Sequence, residues 1–582
     1  MYYPKPDNEH YRIFILLIIL STQSWSMVTV GSSPGNGNCT FANIQDALDS
    51  NDSEIRILNN QDFIANLNVD HSVNIRGGYA SCQDAANGMT DTSNTVIKGT
   101  SVVGAAVMTI TTSSDFVINL YNLTLQDAVD TIFVTNGGHG INVLSSSGSL
   151  TLWDMVIRNN TSEKGGGIYM GDGSNSVNLN IRDSEISGNS ASIMGGGVYC
   201  EGGDTTNNSV KLIGDSVIFE NTAVNGGGAA IINNCSAFFY SGLEASDSIE
   251  LYGIIGNHAT QSGGGLYLDN VDYVNIGYPL ITQDLVKLAT VKNNTAVENG
   301  AGIYAINNSY VLINDAYIDS NLAGNNGGGI YISSGTLMYM SPVQSQCTQF
   351  NKCSILSNNK SGTSNYGGGI YINGDSNVNI WNTFIYGNRA DYGTAVYVSD
   401  TLATGSNLSL EGNYVYENGD NGSGDYQDRY VVRGNGDVEI NILHNTVTDN
   451  NVNDANAIIG VVNGVTMSLK NSIIHNANET VLSDAGVNLL DNRCLMVNED
   501  TSISGIIVLS VTTPKFVDAI NNDYHLTTSG IDWCNPHGGF IKDTDNDIRG
   551  WDDPTTEGIL AYYDVGADES YDSDIVFKNN FE

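Results

Sequence analysis

The chain has 582 residues, and its 22 Lys and Arg against 63 Asp and Glu leave a formal charge of −41, which excludes a nucleic-acid binder that works through phosphate charge. With 65 Gly, 8 Pro and 41% hydrophobic residues, it is too apolar for a disordered acidic polymer and lacks the Gly-X-Y period of collagen. A folded protein punctuated by glycine remains.

At the start, Lys5 and Arg12 accompany an apolar run from Ile13 to Leu20, and Ser24-Trp25-Ser26 supplies a small-x-small cleavage site, so residues 1–26 read as a secretory signal. No segment reaches the ~20 apolar residues that span a bilayer. The mature chain is therefore expected to be secreted, or held at the outer cell surface, without a transmembrane segment. The eight Cys fall as sequence neighbours, Cys39 and Cys82, Cys200 and Cys235, Cys347 and Cys353, Cys494 and Cys534, which predicts four local disulfides in an oxidising compartment. Residues 27–119 read as an N-terminal cap and first coils. Within them Phe41 to Leu48, with Phe41, Ile44, Ala47 and Leu48 on one face, followed by Ile55-Arg-Ile57-Leu58, reads as a short helix over the first coil.

From about 120 to 500 the chain repeats. Gly-Gly-Gly, followed by an aliphatic residue and usually Tyr, starts at Gly165, Gly195, Gly226, Gly263, Gly300 (as Gly-Ala-Gly), Gly327 and Gly367, and decays to Gly-Thr-Ala at Gly393. Upstream of each lies aliphatic-x-x-Asn: Ile157 to Asn160, Ile186 to Asn189, Ile218 to Asn221, Ile254 to Asn257, Val291 to Asn294, Ile318 to Asn321, Ile355 to Asn358 and Ile385 to Asn388. It continues without the glycines at Val415 to Asn418, Ile442 to Asn445 and Ile473 to Asn476. Eleven copies between Asn160 and Asn476 give a period of 316/10, or 31.6 residues. Each unit holds three strand-length segments divided by turn residues; such units bury nothing alone and must stack. The predicted fold is all-β, a right-handed parallel β-helix of about 30 residues per coil, with a helical N-terminal cap and an irregular C-terminal cap. Alternation sends Ile168 and Met170, or Ile370 and Ile372, into the core and the Tyr between them outward. The repeated Asn is expected at a strained turn, with amides bonded from coil to coil.

These residues carry a resemblance. Aliphatic-x-x-Asn alternating with Gly-Gly-Gly-Ile resembles the repeat pair of polymorphic outer membrane proteins and of the wider pectate-lyase-like β-helix superfamily, over about residues 120 to 480. The stretch from Cys39 to Leu48 and Ile75-Arg-Gly77-Gly78-Tyr79 is similar to the N-terminal cap of such secreted proteins. Tyr524-His-Leu526, Asp545-x-Asp547-x-Arg549 and Asp564-Val-Gly566-Ala-Asp568-Glu569 resemble a "choice-of-anchor" segment, placed at 501–570, and 571–582 a short terminal tail. The resemblance implies surface sorting. An autotransporting member carries a C-terminal barrel of some hundreds of residues; with fewer than 110 residues after Asn476 and poor alternation among them, self-translocation through a barrel is not expected.

Four constellations bear on function. Asp154, Asp183 and Asp215 stand six residues before the repeat Asn; stacked one coil apart they would form a Ca²⁺ site or an acid pair, or simply a turn. Asp543-x-Asp545-x-Asp547 opens like a calcium loop but lacks its closing residues. The outward Tyr169, Tyr199, Tyr267, Tyr304, Tyr331, Tyr371 and Tyr397 predict an aromatic stripe, interrupted at Ala230, that either binds sugar rings or a partner or serves as structural cross-strand pairs. Gly138-His139-Gly140 matches a polygalacturonase motif, without the Asn-Thr-Asp and Asp-Asp partners that should precede it. The expectation is an adhesin or carbohydrate-binding scaffold facing an extracellular polysaccharide or a surface receptor. The alternative is a Ca²⁺-dependent polysaccharide lyase or a glycoside hydrolase, requiring the three Asp to converge with Arg158, Lys164 or Arg182.

Overall fold

In the computed structural model the described residues run from 26 to 527, apart from 32–38, 101–103, 130–138, 172–175, 204–207, 245–251, 278–286, 344–353, 401–404, 421–423, 454–456, 499–507, 511–513 and a few isolated positions, and resume at Cys534 and 564–567. The signal segment, Cys347, Cys353 and the Asp543 to Asp547 loop lie outside them.

Each coil turns through short strands that pair in parallel with the same strands one coil on, apart from Gly242–Glu244, which runs antiparallel to Lys287–Lys292. Ser147–Trp153, Val156–Arg158 and Ile168–Met170 lie against Ser176–Arg182, Glu185–Ser187 and Val198–Glu201. This makes a parallel β-helix, as the repeat predicts. One face is a sheet with one strand per coil from Leu67–Val69 to Leu482–Ala485, fourteen strands in all, so its thirteen steps of ~4.8 Å make about 60 Å of rod. The other two faces belong to a 31-stranded sheet. A further six-stranded sheet, from Thr161–Lys164 to Leu322–Ala323, lines one corner only in the middle coils and adds a fourth strand there that the sequence does not announce.

The interior is one continuous aliphatic column. Leu150, Leu152, Ile157, Ile168 and Met170 of one coil are wholly buried and stack on Leu179, Ile181, Ile186, Val198 and Cys200 of the next.

The first glycine of every Gly-Gly-Gly unit has positive φ, between +57° and +71° in all eight, including Gly393 in the degenerate Gly-Thr-Ala. That conformation is costly for L residues, which explains why this glycine persists where the second and third do not.

The repeat Asn is not the strained residue. Positive φ falls on its predecessor, Asn159, Glu220, Asn293, Ser320, Asn358 or Glu417, while the Asn itself is buried. Its amide bridges coils: Asn257 donates from both its backbone N and Nδ2 to Asn294 Oδ1 at 3.0 Å, and Asn294 Nδ2 donates back to the Ile254 carbonyl at 3.0 Å. The ladder runs Asn160, 189, 221, 257, 294, 321, 359, 388, 418, 450, 476 and 498. Two expected members are corrected. Asn358 gives way to Asn359, because Leu356, not Ile355, points into the core. Asn445 belongs to a second ladder at the opposite turn, with Asn413 and Ser472, and Asn450 takes its place.

At the N-terminus the helix is shorter than expected, Ile44–Leu48, capped by Asn43, whose side chain accepts from Gln45 N at 2.8 Å. The following Ile55 to Leu58 belongs to a strand, Glu54–Leu58. A second helix, Cys82–Asn87, is tied to the first region by Cys39–Cys82. Cys200–Cys235 and Cys494–Cys534 are also bonded, so three of the four expected pairs are seen. No helix among the described residues is long and apolar enough to cross a membrane. At the far end a hairpin of Phe516–Asp518 and Asp523–Leu526 lays Tyr524 against Tyr414 and Tyr416 at 5.9 and 5.4 Å, covering the outer side of the last coils.

Candidate functional site: the aromatic exterior of the long sheet

The expected tyrosine stripe is present, interrupted at Ala230, but most of it is buried, with Tyr304 and Tyr331 half-buried. Tyr267, Tyr304, Tyr331, Tyr371 and Tyr397 follow one another with ring centroids 5.3, 4.8, 5.0 and 5.5 Å apart and planes within 20°. Tyr169 and Tyr199 form a separate pair at 5.4 Å, beyond the gap at Ala230. Tyr199 is wholly buried and Tyr371 is 9% exposed. Burial pushes the phenol of Tyr267 up to about 12, with help from Asp269, and those of Tyr199 and Tyr371 higher still. The ring faces are therefore turned toward one another, and a ligand would find mainly edges. His139 is part of this column: its ring stacks on Tyr169 at 5.0 Å and its Nδ1 lies 2.8 Å from the Gly165 carbonyl oxygen.

The three aspartates do not form one column. Trp153 is opposite Arg182 and Arg182 opposite Ile213, which aligns Asp154 with Asp183 but puts Gly214, not Asp215, in third place. Asp154 and Asp183 have φ of +52° and +48°, the left-handed turn that Asp tolerates. Asp183 Oδ1 accepts from Asp215 N at 2.9 Å. The basic residues required by a lyase are engaged elsewhere: Arg158 donates to Gln126, Arg182 lies over the Trp153 ring at 4.8 Å, and Lys164 donates to the Tyr199 hydroxyl at 3.2 Å. Among the described residues no group of three His, Cys, Asp or Glu gathers as metal ligands.

Partial burial, and then the Asp183 charge, raise the Asp154 carboxyl above its ordinary value of 3.8. An acid held above its unfolded value stabilises the fold below the ordinary carboxylate range and loses that contribution as pH rises through the folded value. Asp154→Asn is thus expected to melt with wild type at pH ~3 and above it at pH ~7. Thermal melts with and without Ca²⁺ check this, since a cation bound by the pair would make the wild type the more stable protein when Ca²⁺ is added.

The best-formed surface feature was not visible in the repeat motif. Along the outside of the 31-stranded sheet, the long sheet of the rod, the coils carry Phe238, Tyr273, Tyr310, Tyr339 and Trp381, with successive centroids at 5.6, 5.8, 6.1 and 5.4 Å. All five are half-buried, and their planes are inclined by 35° to 66°. Unlike the tyrosine stack, these rings do not lie face to face with their neighbours. Toward the N-terminus the same exterior continues as Arg76 over Tyr121 at 3.7 Å and Tyr121 stacked on Trp153 at 6.4 Å. Between the aromatics stand Asn275, Asn314, Asn377 and Asn379, outward by alternation in their strands.

One other concavity, of about 470 Å³, is lined by Ser320, Asn358, Lys360, Arg389 and Asp420. Arg389 is largely neutralised there: it donates to the buried Asp428 at 2.7 Å and to Asp420 at 3.3 Å, and lies 4.7 Å over the Tyr426 ring.

Comparison of the chain with protein-family models, curated proteins and solved structures finds no match in any of the three.

Proposed function

We propose that the protein is a secreted, cell-surface rod that binds carbohydrate, an adhesin or glycan-binding scaffold, and that it uses the outside of its long sheet to do so. The observation that carries this reading is the run of half-buried rings from Phe238 to Trp381, each inclined to the next and interleaved with amides on one face of the rod. Aromatic faces pack on the C–H faces of sugar rings, and amides bond their hydroxyls. Three disulfides and the lack of a membrane-spanning helix among the described residues are compatible with an extracellular site of action. Kinship with pectate-lyase-like β-helices and an anchoring role for the C-terminal segment belong to the same proposal. They rest on the repeat pair and on motifs such as Asp564 to Glu569.

A catalytic reading is disfavoured because no basic side chain accompanies the Asp154–Asp183 pair. The test is affinity for a retained glycan. Tyr339→Ala and Trp381→Ala are each expected to weaken binding about tenfold or more, as loss of an aromatic anchor does, with circular dichroism unchanged. Equal affinity in both variants would remove this face from consideration.

A further inference from the structure

The exterior aromatic face has a charge pattern of its own. The strands Ser236–Phe239, Val274–Ile276, Tyr310–Asn314, Leu337–Ser341 and Asn377–Trp381 contain no Asp, Glu, Lys or Arg, although the chain has 22 + 63 = 85 such residues in 582. The uncharged section is bounded by Lys211 on the preceding strand and Glu411 on the following one.

On the second of these five strands stands Asn275, in register between Phe238 and Leu312. It is 7% exposed, its Nδ2 donates to the Tyr273 hydroxyl at 3.4 Å, and its Oδ1 is buried with no hydrogen-bond partner. A buried carbonyl oxygen left unmet is costly and rare in folded proteins. Nothing about the core demands an amide here, since the side chain belongs to the outward set of its strand. An acceptor flanked by Phe238 and Tyr273, on strands without charge and with Lys211 over the far side of the Phe238 ring at 5.3 Å, fits a hydroxyl donor carried on an apolar ring.

We infer that this section takes a neutral polysaccharide lying along the rod, with Asn275 Oδ1 accepting a sugar hydroxyl and the rings from Phe238 to Trp381 supporting successive residues. The inference rests on the carbohydrate-binding reading above and narrows its ligand class. The repeat of an extended hexopyranose chain is close to the ~4.8 Å step between coils, so sugars and coils advance nearly together. An acidic chain would meet the field of a protein of charge −41 with no cation among these strands to offset it.

The test uses the mature full chain, residues 27 to 582, against neutral chains (glucan, xylan, mannan, galactan) and acidic ones (polygalacturonate, alginate), by calorimetry. The expected result is binding of a neutral chain whose affinity changes less than about twofold between 0.1 M and 1 M salt, a range over which the screening length falls from about 10 Å to 3 Å. Asn275→Leu should weaken it at least about tenfold with a melting temperature no lower than that of the wild type, since it removes an unmet buried acceptor, and Asn275→Asp, which keeps an acceptor, should bind more tightly than Asn275→Leu. Neutral-chain binding untouched by Asn275→Leu overturns the inference. So does binding confined to acidic chains; if it still depends on Tyr339 and Trp381, the carbohydrate-binding reading survives, and if no chain binds, both fall.

Discussion

Replacing Asn294 by Leu is expected to destabilise the rod by about 3–9 kcal/mol, because the change strips partners from three buried groups at ~1–3 kcal/mol each. Asn257 loses the acceptor of its backbone N–H and of its side-chain amide, and the Ile254 carbonyl loses its donor. In a solenoid the damage is local, since each coil contacts only its neighbours. Hydrogen exchange should therefore accelerate in Gly253–Ile255 and Ala316–Asp319 before the ends of the rod respond. Its neighbour provides the control. Asn293 is exposed and has φ of +55°, a conformation glycine adopts freely, so Asn293→Gly should leave exchange unchanged. Unaltered protection in Asn294→Leu would mean that the ladder contributes nothing to stability.

Tyr371→Ala is expected to cost about 3–5 kcal/mol, the range for deleting a buried aromatic ring. The ring has neighbours on both faces, Tyr331 at 5.0 Å and Tyr397 at 5.5 Å, and packing so close does not collapse to refill the space. Tyr371→Phe, which keeps the stack and gives up the hydroxyl contact with Ser399, should cost about 1 kcal/mol. Thermal melts compare the two. Glycan affinity, measured below the melting range of each variant, should be that of the wild type. Normal stability with lost binding would return the inner tyrosine column to the ligand surface.

The repeat made the fold legible because its strongest signals have single physical causes. The first glycine of each unit needs positive φ, the Asn fills a buried turn, and aliphatic residues occur wherever alternation points inward. Errors arose where two residues competed for one role. Ser357-Asn358-Asn359 offers two asparagines, and only the register, which makes Leu356 the core residue, decides that Asn358 takes the strained backbone and Asn359 the ladder. Asp215 invited the same one-residue slip against Gly214.

The tyrosine column was legible as a column but not as a largely buried one, since part of its cover comes from groups such as Lys164, one coil away, that no local pattern connects to Tyr199. The exterior rings were invisible for a different reason. Phe238, Tyr310 and Trp381 occupy three different outward positions in their strands, so no fixed spacing links them, and only parallel pairing across five coils assembles the row. A sequence signal did exist: strands whose outward positions hold aromatics and amides with no charge, in a strongly acidic chain.

The two aromatic systems divide the work of the molecule. The inner tyrosines and the Asn ladders make a stiff rod in which coils keep register, and the outer rings use that register to present a repeating surface. The central claim is that this surface holds a polysaccharide without cutting it. It is tested most directly by incubating the purified chain with the glycan panel and following pull-down, reducing ends and unsaturated-product absorbance together. The account predicts retention of a glycan with neither product signal, with or without Ca²⁺. Reducing ends or unsaturated product released from any of these chains would contradict it and make the protein an enzyme.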